Sequence, residues 1–354
     1  MDICRTTKAT IALGAIRRNT QKIIAKYPGY RYYMAVVKAD CYGYRGNRVV
    51  DAMLQGGANA LAASLVEEGL SLRQEFPDTP ILLFTPASAE HLFLLAEHNL
   101  IASVATLSQA QQASKVDGLC VMIRVNGGSD ILGGPTDRES FEQIFNTLKS
   151  GQCNLVGMYL HSYNAEDSDA TASEYAKFEE LTENCDLSAL QIVSISNSLT
   201  LPRYPKLASC NACRLGNILY GIESEDEELE ETFCLTGTVL NTFSLNKGQS
   251  VAYSHAYTAT SDNERIATVA IGFGDGFSKT NIGRDVFINN KRFPIVSVTM
   301  DITLIRVDES IKENDLVYLI RDNKHLAQIA SHIHGATEEP ICALNKRVYR
   351  EYID

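Results

Sequence analysis

Residues 35–46 read AVVKADCYGYRG, and Lys38 closes the apolar run YYMAVV just before a turn of small residues, tyrosines and glycines. An ammonium at the end of a buried strand must snorkel to water, meet a carboxylate, or be used as an amine. In the third case its chemistry is covalent, with the amine joined to an aldehyde. Four further polar groups close similar runs: Arg124 ends LCVMIRV, His161 follows NLVGMYL, Ser196-Asn197-Ser198 follows LQIVSIS, and Arg214 lies in ACRLGNILYG. Taken singly, each reads as an ion-paired, capped or packed side chain. Their common position at strand ends is what asks for a shared explanation.

The elements that carry them alternate. YYMAVV, ANALAAS, PILLFT, LIASVA, LCVMIRV, NLVGMYL, LQIVSIS and ACRLGNILYG read as buried strands. Between most of them lie stretches with apolar residues three and four apart, such as RGNRVVDAMLQGG, LVEEGLSLRQEF, SAEHLFLLAEH, ESFEQIFNTLKS and SEYAKFEELTEN. Eight such units predict a (β/α)8 barrel over an open doubly wound sheet. A barrel places chemistry at the carboxyl ends of its strands and phosphate in the loops after strands seven and eight. Ser198 and the backbone N–H groups of Gly216 and Asn217 fall there, where glycine admits a close approach. A lysine able to form a Schiff base, together with a phosphate cup, suits pyridoxal 5'-phosphate.

After the acidic GIESEDEELEET, read as a boundary or solvated turn, the chain becomes strand-rich: FCLTGTVLNTFSL, QSVAYSHAYTA, RIATVAIGF, DVFINNKRFPIVSV, ITLIRV and DLVYLI. Helical patterning returns near HLAQIASHI. The expected division is a barrel over residues 14–231 and a mostly β domain made of residues 1–13 and 232–354.

Composition narrows the class. The 354 residues, 45% hydrophobic and 21% charged, are enough for two globular domains. A net charge of −11 makes nucleic acid and anionic membranes poor partners. Nine cysteines without a regular framework point to a reducing, cytoplasmic setting. The Cys210/Cys213 pair lacks a second pair, and His332 and His334 lack further ligands, so no metal is expected at either. No run is long and apolar enough for a membrane span, and no signal peptide opens the sequence.

Several motifs together resemble the alanine racemase family, the fold type III pyridoxal phosphate enzymes. AVVKADCYGYRG resembles the family's AVVKANAYGHG; LHSYNAED, RLGNILYG, YSHAYTA, IGFGDGF and VTMDITLIRV resemble further family segments in the same order. The resemblance spans nearly the whole chain and implies a barrel followed by a β domain, with residues 8–13 pairing into the latter. It further implies that Lys38 holds the cofactor and acts as one catalytic base, and that Tyr257 of a partner subunit in a homodimer is the other. Tyr42, Ser198, Gly216 and Asn217 would surround the phosphate. Arg214 would face the pyridine nitrogen with His161 behind it, and the Met300 backbone would help hold the substrate carboxylate.

The departures from the family carry information of their own. Where the family has LK-x-DTGMGRLG, this chain has IRVNGGSDILGG, with Arg124 in the lysine's place and Ile131 in the arginine's. Losing both members of a charge pair together avoids stranding either, and Arg124 is left as a candidate substrate-carboxylate group. Ser194 and Phe273 replace a histidine and a tyrosine. In CALNKRVYR, Lys346 replaces a tyrosine and would neutralise phosphate charge, while Asn345 offers an amide to a substrate hydroxyl. This set resembles the serine/alanine racemase domains of vancomycin-resistance type, which hang from a membrane portion. The expectation is therefore a serine racemase with alanine activity, supplying D-amino acid for peptidoglycan precursors. The alternatives are an alanine racemase proper, a type III decarboxylase, a vitamin B6 carrier and a non-catalytic cofactor binder. A decarboxylase pairs the ring nitrogen with glutamate, and a carrier lacks the second domain.

Overall fold

Eight apolar runs between residues 32 and 215 become the eight parallel strands of a closed barrel in the computed structural model, which describes residues 5–128, 130–163, 165–222 and 229–354. One strand, β1 (Lys8–Ala12), precedes them. The barrel strands are β2 (Tyr32–Val36), β3 (Ala60–Ala63), β4 (Ile81–Leu83), β5 (Ile101–Val104), β6 (Cys120–Val125), β7 (Asn154–Leu160), β8 (Ile192–Asn197) and β9 (Ala212–Leu215). Pairing of β2 with β9, Tyr32 opposite Ala212 and Met34 opposite Arg214, closes the ring. Most strand residues are buried, as expected when side chains pack inward into layers and outward onto helices.

Helices over Asn47–Gln55, Val66–Glu75, Leu92–Glu97, Arg138–Lys149 and Ser168–Thr182 match the periodic stretches. Leu107–Ala113 is a further helix, whose short apolar stripe is Leu107, Ala110 and Ala113. Its sequence, LSQAQQA, is mostly polar, and the Thr106 side chain starts it by accepting the Gln109 N–H at 3.2 Å.

The β unit is built on β1, β10 (Phe233–Leu245), β13 (Glu264–Val269), β14 (Asp285–Ile288), β15 (Lys291–Val298), β16 (Thr303–Val307), β17 (Leu316–Ile320) and β18 (Tyr349–Ile353), with the two-residue strands β11 (Ser250–Val251) and β12 (Tyr257–Thr258) apart from its main sheet. FCLTGTVLNTFSL is one continuous strand, β10, whose length lets it pair with β1, β17 and β13. QSVAYSHAYTA is not continuous. Ala252, Ser254 and His255 take φ of 67°, 56° and 55° between β11 and β12, and Tyr253 is 86% exposed, so its alternation has no sheet to bury against.

Strand β18 lies parallel to β1 and shows little apolar pattern. The pair Lys8–Glu351 at 2.7 Å joins the two. Residues 17–41 and 46–219 form one compact unit; residues 5–16, 42–45, 220–222 and 229–354 belong to the other. Of the acidic GIESEDEELEET stretch, residues 223–228 lie outside the described residues. Among the described residues no helix is long and apolar enough to cross a membrane, and the eight described cysteines are free thiols.

Candidate active site

Lys38 lies two residues beyond β2 and opens an unusual turn. Ala39, Asp40, Cys41 and Tyr42 all take φ between 52° and 56°, a left-handed helical turn without a glycine. Such a turn costs on the order of 1–2 kcal/mol per residue and persists where the surroundings fix it. Within the barrel unit, the Ala39 N–H donates to Glu68 Oε1 at 2.6 Å, and Glu68 Oε2 takes the Ser64 and Leu65 N–H groups at 2.8 and 3.0 Å. Asp40 Oδ1 accepts the Gly46 N–H at 3.2 Å. Two carboxylates thus aim the lysine's backbone. KADCY, which contains no glycine, gives no sign of this conformation.

Arg214, on β9, is 2% exposed. One terminal nitrogen donates to the Ser194 carbonyl at 3.0 Å and its hydroxyl at 2.7 Å; the other reaches the Leu160 and Ile195 carbonyls at 2.7 and 3.2 Å. Burial pulls the guanidinium down to about 10, and Arg124 works in the same direction. Its Nε is buried and lacks an acceptor.

His161, one residue past β7, sits 3.5 Å from Arg214. Burial, then Arg214, Arg124 and Lys38, push its imidazolium down to about 3, so the ring is neutral under ordinary conditions.

The Ser198 hydroxyl accepts the Gly216 N–H at 2.7 Å. The loop after β8 and the end of β9 therefore meet, and Asn217 follows in the same turn. Ser198, Gly216 and Arg214 form a set that fits pyridoxal phosphate: a hydroxyl and a backbone N–H able to turn to phosphate, and an orphaned buried N–H able to face an unprotonated ring nitrogen.

Arg124 is paired within the barrel. Its Nε and Nη2 bond Asp130 at 2.6 and 2.7 Å, Nη1 bonds the Tyr159 hydroxyl at 3.1 Å, and Nη2 also bonds the Tyr163 hydroxyl at 2.8 Å. The Ser103 hydroxyl gives its proton to the Leu83 carbonyl at 2.6 Å, so Tyr159 donates to Ser103 and its oxygen stays open to Arg124. Burial opposes the Arg124 charge, yet Tyr159 and Asp130 together raise its pKa. Tyr163 packs edge-on against His161 with centroids 4.7 Å apart. Ile131 is 81% exposed. Sequence reasoning missed Asp130, Tyr159 and Tyr163; the signal available for the first was an acid six residues beyond Arg124 in a glycine-rich loop.

In the β unit, Tyr42 is buried with its ring 4.9 Å from Tyr220. The Tyr257 hydroxyl donates to Glu264, which also takes the Thr260 and Ser261 N–H groups at 2.5 and 2.7 Å. Burial and this carboxylate raise the phenol's pKa, while the same bonds hold Glu264 down at about 2.

Met300 and Asn345 converge through Gly274, whose N–H donates to the Met300 carbonyl at 2.9 Å and whose carbonyl accepts from Asn345 Nδ2 at 2.7 Å. Asn345 Oδ1 accepts the Arg347 N–H at 2.9 Å. Lys346, beside it, is exposed. A side chain at position 274 would place its Cβ 2.6 Å from Arg347 and 2.9 Å from the Met300 carbonyl oxygen, which accounts for the glycine.

A sequence model described as the alanine racemase N-terminal domain matches residues 11–224, and one described as the C-terminal domain matches residues 232–352. The alanine racemase of Halalkalibacterium halodurans is 30% identical over 98% of this chain and 95% of its own length. Alanine racemase 1 of Bacillus subtilis is 28% identical over 99% of this chain and 94% of its own. The crystal structure of alanine racemase from Bacillus anthracis with bound L-Ala-P aligns at a TM-score of 0.90 and 26% identity, over 100% of this chain and 96% of that one.

Proposed function

Since the chain belongs to the alanine racemase family, a pyridoxal phosphate-dependent one, we propose that it interconverts the L and D forms of a small amino acid, alanine first, by a two-base mechanism. The carrying observation is the orphaned Nε of buried Arg214 in the same barrel unit as Lys38 and the Ser198–Gly216 contact. Bound pyridoxal phosphate supplies an electron sink for the carbanion left when the Cα proton departs.

This chain's residues do the rest. The Lys38 amine holds the cofactor aldehyde and, once released from it, moves a proton at one face of Cα. Tyr257 of the partner subunit in a homodimer moves a proton at the other face. Ser198, the N–H groups of Gly216 and Asn217, Tyr42 and Lys346 hold the phosphate. Arg214 donates to the ring nitrogen without giving up a proton, since even a guanidinium lowered to about 10 stays charged near neutrality. His161 packs behind it as a neutral ring. The Met300 backbone and Arg124 act on the substrate carboxylate, with Arg124 tuned by Asp130. A cytoplasmic setting and a role in supplying D-amino acid for peptidoglycan precursors fit this reading.

Serine is the second reading, motivated by Lys346 and Asn345 in the closing motif. The relatives' names favour alanine over the serine preference expected from the sequence. Both amide atoms of Asn345 already bond backbone, leaving one N–H for a hydroxyl. The deciding experiment follows D-amino acid formation from L-alanine and L-serine side by side in heavy water. Deuterium at Cα with inversion supports a racemase and the faster substrate assigns its preference. Release of carbon dioxide, or no exchange at all, would overturn the proposal in favour of a decarboxylase or a binder.

A further inference from the structure

Of Arg124, Asp130, Tyr159 and Tyr163, the last alone is open to solvent. Tyr163 is 37% exposed, whereas Arg124 and Tyr159 are 3% and 0% exposed and the Asp130 side chain is wholly buried. A molecule approaching this cluster from water therefore meets the phenol first.

The Tyr163 hydroxyl is held there with its proton still free to turn. Its oxygen accepts from Arg124 Nη2 at 2.8 Å, and its proton goes to Asp130 Oδ1 at 3.2 Å. That carboxylate oxygen already accepts Arg124 Nη2 at 2.7 Å and the Leu132 N–H at 2.9 Å, so it stays satisfied without the phenol. The Arg124 N–H behind the phenol oxygen makes the remaining O–H a stronger donor. Burial raises the phenol's pKa, so the proton is present near neutrality. Tyr163 also packs edge-on against His161, the ring on which Arg214, Arg124 and Lys38 act. Its neighbours are poorer donors. Ile131, in the place of the family's arginine, has none to offer. Buried Arg124 already has its Nε, both Nη2 and one of its Nη1 N–H groups bonded.

We propose that Tyr163 is a substrate-binding residue, whose hydroxyl donates to the carboxylate of the amino acid while Arg124 donates to the phenol from behind. This rests on the racemase reading, and it lets Arg124 act on the carboxylate without moving the buried ion pair.

The test compares wild type with Tyr163→Phe, which keeps the ring against His161. Both are loaded with pyridoxal phosphate and titrated with racemic alanine and with ethylamine, its analogue without a carboxylate, followed by cofactor absorbance. Tyr163→Phe should bind alanine roughly 10- to 100-fold more weakly, the scale of a hydrogen bond to a charged group, and ethylamine as wild type does. In racemisation, KM for alanine should rise while kcat changes less. Unchanged alanine binding would overturn the proposal. So would equal weakening of alanine and ethylamine, the outcome for a tyrosine that only supports the fold. Binding is read without turnover, so a wild type that fails to invert alanine would sink the racemase reading and leave this comparison standing. Should Tyr163→Phe not fold, a crystal of the loaded wild type soaked in propionate decides. A carboxylate within hydrogen-bond distance of the Tyr163 hydroxyl supports the assignment, and one bound elsewhere, or none, refutes it.

Discussion

Arg124 and Asp130 meet through two hydrogen bonds, Nε to Oδ2 at 2.6 Å and Nη2 to Oδ1 at 2.7 Å, with both side chains almost wholly out of solvent. Arg124 and Arg214 lie 5.5 and 5.2 Å from the same Tyr159 ring, but Arg214 rests on carbonyls while Arg124 has a carboxylate. Asp130 thereby offsets part of the positive charge that Arg214, Arg124 and Lys38 direct at His161.

Breaking that pair on one side strands a buried charge. Asp130→Asn should lower unfolding stability by roughly 3–5 kcal/mol in urea titration, whereas the double change Arg124→Met with Asp130→Leu should cost markedly less. A double-variant loss equal to the sum of the separate Arg124→Met and Asp130→Leu losses would mean the pair makes no coupled contribution.

Much of this was legible in sequence, and the omissions have physical causes. The strand ends holding Lys38, Arg124, His161, Ser198 and Arg214 could be placed because buried parallel strands are continuous apolar runs, and each polar residue interrupts or follows one. The Arg124–Asp130 pair was not legible, because a loop's path decides which of its acids turns back onto the strand. The left-handed turn after Lys38 was hidden for a different reason. Glu68, some thirty residues away, fixes it through the Ala39 N–H, and local propensity records no such tie. Strand β18 escaped because Glu351 pairs with Lys8 of β1 and Arg350 donates to backbone carbonyls, so the strand shows no apolar stripe.

His161 makes the fold sensitive to acid. Its folded pKa is depressed to about 3 from an ordinary 6.5, so the unfolded chain binds the extra proton between those values. Its contribution is fully present above about pH 6.5 and is lost as pH falls toward 3, with a slope of up to ~1.4 kcal/mol per pH unit. His161→Asn should flatten the stability profile in that window, measured by denaturant unfolding from pH 4 to 7. An unchanged slope would remove His161 as the cause.

The Ser198 hydroxyl, which accepts the Gly216 N–H, is positioned to exchange that bond for one to phosphate. Ser198→Ala should weaken pyridoxal phosphate roughly 10- to 100-fold, the scale of a hydrogen bond to a charged group, in an equilibrium titration followed by cofactor absorbance. Because Lys38 remains, the absorbance of the bound form should be retained at saturation. A loss of that absorbance would show that Ser198 acts on the lysine rather than on the phosphate.

Tyr257 and Glu264 give the last prediction, because the bond that orders the phenol also makes it a weaker acid. Burial and the Glu264 carboxylate both raise the Tyr257 pKa, so replacing the charge while keeping an acceptor should bring it down. In Glu264→Gln the basic limb of the pH–rate profile should move to lower pH, with the cofactor absorbance unchanged. Tyr257→Phe should instead stop proton transfer at one face of Cα. Racemisation would then fall by orders of magnitude, while deuterium exchange without inversion continues for one enantiomer. If Tyr257→Phe racemised at a near-normal rate, the second base would have to be another residue, and the Glu264 shift would have no catalytic meaning.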